Sequence, residues 1–196
     1  MNITQKFLSI NKYTRDGRLL NGLTAIVMHY PGKAKQEALG VWNYWDKEVT
    51  KGKLGYSSAH YIIDLNGDIY QAIPENERAF HCGTSKKDPI SNKVYTDKAR
   101  DIFGKYCIFP NLSPNQVSIG IEMCHIDDEG NYKPETILSA IELVSYLCKV
   151  YNIPINKIIT HNDIVGWKEC PKLWVNKPFL FDAFKFDIKM RLQNGR

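Results

Sequence analysis

Thr24-Ala25-Ile26-Val27-Met28-His29-Tyr30 is an apolar, β-branched run stopped by Pro31-Gly32. Such a run reads as a buried strand followed by a turn. A buried strand needs other strands beside it and helices over it, and the rest of the chain supplies both patterns. Residues 58–64 read as a second strand, Asn66-Gly67 as a tight hairpin turn, and residues 68–73 as the return strand. Residues 117–124 and 157–160 give two more strands, and residues 78–82 a further short one. Ala38, Val41, Trp42 and Trp45 recur at helical spacing within residues 35–50. Pro134 opens a long helix whose stripe is Ile137, Ala140, Ile141, Val144, Leu147, Cys148 and Tyr151. Pro178 opens a last helix that runs to about residue 192. Strands and helices alternate around a hairpin, which predicts an α/β or α+β fold with a central mixed β-sheet flanked by helices.

The chain of 196 residues suits one domain, 1–196. Residues 1–22 are polar with Gly17 and Gly22 and read as an N-terminal arm. Residues 83–116 form a long, insertion-like connection with a short helix expected over 95–103. Its aromatic residues Tyr95, Phe103, Tyr106 and Phe109 could pack it down or touch a ligand. No apolar run is long enough to span a membrane, and the first residues lack the pattern of a cleavable signal peptide. The excess of 26 basic over 21 acidic side chains is mild, and no dense basic cluster argues for nucleic acid. Five cysteines without a CxxC pair argue against a disulfide framework. Cys82, Cys107, Cys124 and Cys148 read as packing residues and His125 as a surface residue.

His29 and His161 each end a predicted strand where the chain turns into a loop, a usual place for functional side chains. Each could equally be a satisfied structural histidine. Cys170 follows His161 by nine positions. Zn²⁺ favours nitrogen and sulfur ligands, and two histidines with one cysteine leave a fourth tetrahedral position open. The ligands lie far apart in sequence, so spacing alone leaves both readings standing. Glu122 sits in an apolar strand, where a bare carboxylate is costly to bury. Alternation aims it with Gly120 and Cys124 to one face.

In order along the chain, Ala25-Ile26-Val27-Met28-His29-Tyr30, Ser57-Ser58-Ala59-His60-Tyr61-Ile62-Ile63-Asp64 with Asn66-Gly67, Ala79-Phe80-His81-Cys82-Gly83, Ser118-Ile119-Gly120-Ile121-Glu122, Thr160-His161-Asn162-Asp163 and Lys168-Glu169-Cys170-Pro171 form an ordered set. That set resembles the zinc-dependent N-acetylmuramoyl-L-alanine amidases of the phage-lysozyme and peptidoglycan-recognition-protein type. The resemblance implies that fold over nearly the whole chain. It implies zinc held by His29, His161 and Cys170, with Glu122 as general base and acid and Lys168 stabilising the developing negative charge. His81 could line the substrate groove, and His60, within a strand, reads at least as readily as a core residue or a support for a metal ligand as it does as a substrate contact. Ala59 stands where some relatives carry a tyrosine, which points to the glutamate-using members. The implied reaction is hydrolysis of the amide between N-acetylmuramic acid and L-alanine in peptidoglycan. Abundant Lys, Ile and Asn suggest an endolysin from a phage of a low-GC Gram-positive host, made in the cytoplasm and acting on the wall after lysis or release. Such enzymes often carry a separate wall-binding domain. Two other readings stay open: a peptidoglycan-binding module without activity, and a cysteine hydrolase using Cys170 with His161.

Overall fold

The computed structural model describes residues 1–84, 86–87, 92–108 and 111–195. The elements in chain order are β1 (Ile3–Gln5), β2 (Ala25–His29), α1 (Ala38–Asn43), β3 (Tyr61–Ile63), β4 (Ile69–Gln71), α2 (Asp97–Phe103), β5 (Ser118–Met123), α3 (Pro134–Tyr151), β6 (Ile158–Thr160), α4 (His161–Val165), α5 (Lys172–Asn176) and α6 (Pro178–Gln193). The strands form one mixed sheet in the order β1-β4-β3-β5-β2-β6. Among the pairings of these six strands, only the β3–β4 hairpin is antiparallel. Asn66-Gly67 turns that hairpin as expected, with Gly67 at φ +86°.

Alternation along the strands sends two sets of side chains to opposite faces. Ile26, Met28, Tyr61, Ile63, Ile119, Ile121, Met123 and Ile158 pack against α3 and α6 through Leu143, Val144, Leu147, Phe181, Phe184 and Ile188. On the other face, Ala25, Val27 and Ile159 pack with Tyr95, Phe103, Ile164 and Val165. Further along that face Ile62 meets Val41, Trp45 and Leu8. Helix α3 follows its sequence stripe: Pro134 occupies the first turn, and Asn152 ends it in the left-handed region with its amide bonded to the Cys148 carbonyl.

Several local expectations change. Residues 3–5 of the N-terminal arm are a strand, because β4 leaves an edge of unpaired backbone groups that β1 covers, and the Lys6 and Leu8 amides continue onto the Gln71 and Ala72 carbonyls. Residues 78–82 form no strand: the amides of His81 and Cys82 donate to the side-chain oxygen of Asn115 (2.9 and 2.7 Å) instead of a neighbouring strand. The helix predicted over 35–50 begins at Ala38 and continues as a π turn (Tyr44–Glu48) and a 3₁₀ turn (Val49–Lys51). In the 83–116 connection, α2 is capped by Thr96, and Tyr95 and Phe103 are buried, with Tyr106 packed beside them. Phe109 lies outside the described residues. His125 is buried rather than on the surface, its two ring nitrogens 2.7 and 2.8 Å from the carbonyls of Asp127 and Pro31. Cys82, Cys124 and Cys148 are buried within apolar clusters, as packing residues, and Cys107 lies beside one. Among the described residues no helix is long and apolar enough to cross a membrane.

Candidate metal centre

The site is built where the carboxyl ends of parallel strands meet, the usual place for ligands in open α/β sheets. His29 is the last residue of β2, and its register partner on β5 is Glu122. On the opposite side of β2, Met28 pairs with Thr160 of β6, so His161, the next residue, stands beside His29. The two rings lie 4.8 Å apart, edge to face.

His161 begins α4 rather than simply ending the strand, and its place is fixed by a capping box. The Thr160 hydroxyl accepts from the Asp163 amide (3.1 Å), and the Asp163 carboxylate accepts from the Thr160 amide (2.9 Å). The following loop folds back on Asn162. Its side-chain amide donates to the carbonyls of Gly166 (3.1 Å) and Lys168 (2.9 Å), and its backbone amide donates to the Cys170 carbonyl (2.9 Å). This return brings Cys170 beside the two histidines.

His29, His161 and Cys170 are all buried, and one ligand atom from each lies within 4.8 Å of the others. The Cys170 sulfur is 3.8 Å from His29 Nδ1. Two ligands of one tetrahedral zinc, with bonds of about 2.0 Å to nitrogen and 2.3 Å to sulfur, sit about 3.5 Å apart. Both ring nitrogens of His161 are buried, with no hydrogen-bond partner among the described residues. Buried polar atoms left unpaired are costly, so their grouping here is what a metal would relieve. Donor set and orphaned atoms together fit a divalent cation of the zinc type.

Electrostatics agree. Burial, with His161, His81 and Lys168 adding to it, pushes His29 well below the ordinary histidine value. Burial pushes His161 down to about 3. Both rings are therefore neutral at pH 7, the form that binds metal. Burial and then Glu122 push the Cys170 thiol up to about 12, against Lys168 and a hydrogen bond from the Tyr30 amide. A thiol held this high is a poor nucleophile, which counts against the cysteine-hydrolase reading. Burial pushes Glu122 up to about 7, with Lys168 pulling it down. One Glu122 oxygen, Oε2, is buried without a partner among the described residues. Lys168 is itself exposed, and its charge bears on His29, His161, Cys170 and Glu122 together.

The remaining histidines occupy other positions. His60 is fully buried; its Nδ1 accepts from the Gly120 amide (3.0 Å), so its Nε2 donates to the Glu77 carbonyl (2.8 Å). Both ring nitrogens of His60 are thus bonded within the protein. His81 is buried too, with Nδ1 3.0 Å from His29 Nε2. It touches His29, one of the three clustered candidate ligands. Sequence reasoning missed Asn115, which holds the 81–82 backbone, and Tyr132, whose buried hydroxyl has no partner among the described residues and lies within reach of the charges of Cys170 and Glu122. Neither stands in a motif; only the folded chain brings them in.

Residues 20–173 match the family model described as N-acetylmuramoyl-L-alanine amidase. The N-acetylmuramoyl-L-alanine amidase CwlL of Bacillus licheniformis is 33% identical over 192 residues, covering 98% of this chain and 48% of that protein. The amidase BlyA of Bacillus subtilis (strain 168) is 29% identical over 190 residues, 96% of this chain and 47% of that protein. The chain thus spans about half the length of these curated relatives. Among solved structures, the catalytic domain of XlyA superposes with a TM-score of 0.68 at 24% identity, covering 96% of this chain and 99% of that one. A mutant endolysin from Bacillus subtilis gives 0.67 at 25% identity, again over 96% and 99%.

Proposed function

The chain belongs to the N-acetylmuramoyl-L-alanine amidase family, and we propose that it is a zinc-dependent hydrolase of the amide between N-acetylmuramic acid and L-alanine in peptidoglycan. The observation that carries this reading is the buried trio His29, His161 and Cys170 beside Glu122. Those three residues would hold zinc, which when bound supplies a Lewis acid and brings the pKa of water down to about 7. Glu122, raised by burial to about 7, is suited to take a proton from the attacking water and return it to the leaving L-alanine amine. Lys168, whose charge bears on Glu122 and the three candidate ligands, would offset negative charge that develops on the carbonyl oxygen. The Asn162 bonds and the Thr160–Asp163 box keep Cys170 and His161 in place, so little reorganisation is needed at the moment of reaction.

In this reading residues 1–196 act as one catalytic domain, and the protein reaches the wall on lysis or release, the setting of an endolysin. A suspension of purified cell walls tests it. Turbidity should fall on adding the protein, persist in a chelator, and fall again when zinc is restored. Binding to walls with no loss of turbidity in any of these conditions would favour a module that only binds.

A further inference from the structure

The hydroxyl of Ser118 fixes more of the metal centre than its own position suggests. Its single proton is directed at the Pro114 carbonyl, 2.7 Å away. Toward His81 Nε2, 3.3 Å away, that oxygen can only accept. The other neighbour of Nε2 is the Ser118 carbonyl, also at 3.3 Å and also an acceptor. His81 Nε2 therefore carries a proton. Its Nδ1 faces His29 Nε2 at 3.0 Å, and two N–H groups cannot face each other at that distance. A doubly protonated His81 would bury an uncompensated charge against other imidazoles. The bare nitrogen is then His81 Nδ1, and His29 donates from Nε2. That leaves the lone pair of His29 Nδ1 free on the side of Cys170. The Cys82 sulfur, 3.2 Å from His81 Nδ1, can add a weak donor to the same acceptor without changing its role.

The surroundings hold His81 to this task. Its amide is bonded to Asn115. Its ring lies over Gly120, where a Cβ would come within 2.5 Å of the ring's Cγ. A larger residue than glycine at that point on β5 would expel the ring.

We propose that His81 is a positioning residue: it accepts the Nε2 proton of His29, and so selects the tautomer that presents Nδ1 to the metal. Partners of this kind orient a ligating imidazole and raise its basicity, and their loss commonly weakens metal binding about 10–100-fold. The proposal rests on the zinc reading of the site, and replaces substrate contact as the role of His81.

The test uses the zinc-loaded protein labelled with ¹⁵N at histidine. Long-range ¹H–¹⁵N spectra should show His29 protonated at Nε2 and coordinated at Nδ1, with a scalar coupling across the bond to His81 Nδ1. In competition with a chromophoric chelator, His81→Ala should lose about 10–100-fold in zinc affinity. His81→Asn, which offers a side-chain oxygen where Nδ1 was, should recover much of it. His29 coordinated through Nε2, or zinc affinity unchanged within twofold in both variants, would overturn the proposal while leaving the zinc reading intact. A parent protein that binds no zinc would remove both. Should His81→Ala fail to fold, the spectra of the parent and the affinity of His81→Asn still decide.

Discussion

His29 and Glu122 are register partners on adjacent parallel strands, so the imidazole proposed to hold a metal and the carboxyl proposed to move a proton stand at the same height of the sheet. Neither requires a loop to bring it to the other. Substituting the carboxyl should therefore separate the two tasks. Glu122→Gln is expected to keep stoichiometric zinc, measured by metal analysis, and to lose about 10²–10⁴-fold in wall hydrolysis. Loss of zinc together with activity would mean that Glu122 serves the metal rather than the proton.

Zinc uptake should release protons. The Cys170 thiol is pushed up to about 12 in the metal-free protein, and a ligating thiolate must give its proton away. His29 and His161, pushed down by burial, are already neutral and have none to release. Calorimetric titration in buffers of differing ionisation enthalpy should report about one proton released per zinc at pH 7, with a further fraction where Glu122 is still protonated. In Cys170→Ala the thiol's share should vanish, along with most of the affinity.

The metal-free protein should lose stability in mild acid. His161 titrates at about 3 in the folded chain and His60 at about 4, against 6.5 when exposed. His29 and His81 are pushed down as well. Below about pH 6.5 the unfolded chain takes up protons that the folded chain refuses, so the free energy of unfolding falls as pH drops. Glu122 acts in the opposite sense: raised from 4.5 to about 7, it favours the folded chain while protonated and withdraws that contribution as pH rises through 7. Four histidines outweigh one carboxyl. Thermal unfolding of chelator-treated protein is expected at a lower temperature at pH 5 than at pH 7.

A substitution far from the metal provides the contrast. Gly67 turns the β3–β4 hairpin at φ +86°, and a Cβ there would lie 2.8 Å from the Ser139 hydroxyl and 2.9 Å from the Glu135 carbonyl. Gly67→Ala should cost about 1–3 kcal/mol, lowering the unfolding midpoint by several degrees. Zinc affinity and specific activity, measured well below that midpoint, should not change.

The elements legible in the sequence are those whose signal is local. The apolar run ending at His29, the Asn66-Gly67 turn and the stripe after Pro134 each state their own conformation, and each appears where expected. What could not be read depends on partners distant in the chain. Residues 3–5, Ile3-Thr4-Gln5, are too short a run to declare a strand and become β1 because the β4 edge is there to pair with. The backbone at 78–82 looks like a strand by composition, yet Asn115 takes two of its donors. The site divides in the same way. His29, Glu122, His161 and Cys170 were nominated by ordered motifs, and the fold gathers them. His60 and His81 were nominated by the same motifs, but which atoms they bond depends on Gly120, Glu77 and Ser118, and no spacing encodes that.

The account depends most on one bond being cut by one metal-loaded site. Mass analysis of purified peptidoglycan digested by the zinc-loaded protein tests this directly. Stem peptides carrying a free L-alanine amine, and glycan strands carrying unsubstituted lactyl carboxyls, should appear. They should be absent after chelation and return with zinc. Cleavage within the peptide or between sugars, or release of the same stem peptides undiminished in chelator, would contradict it.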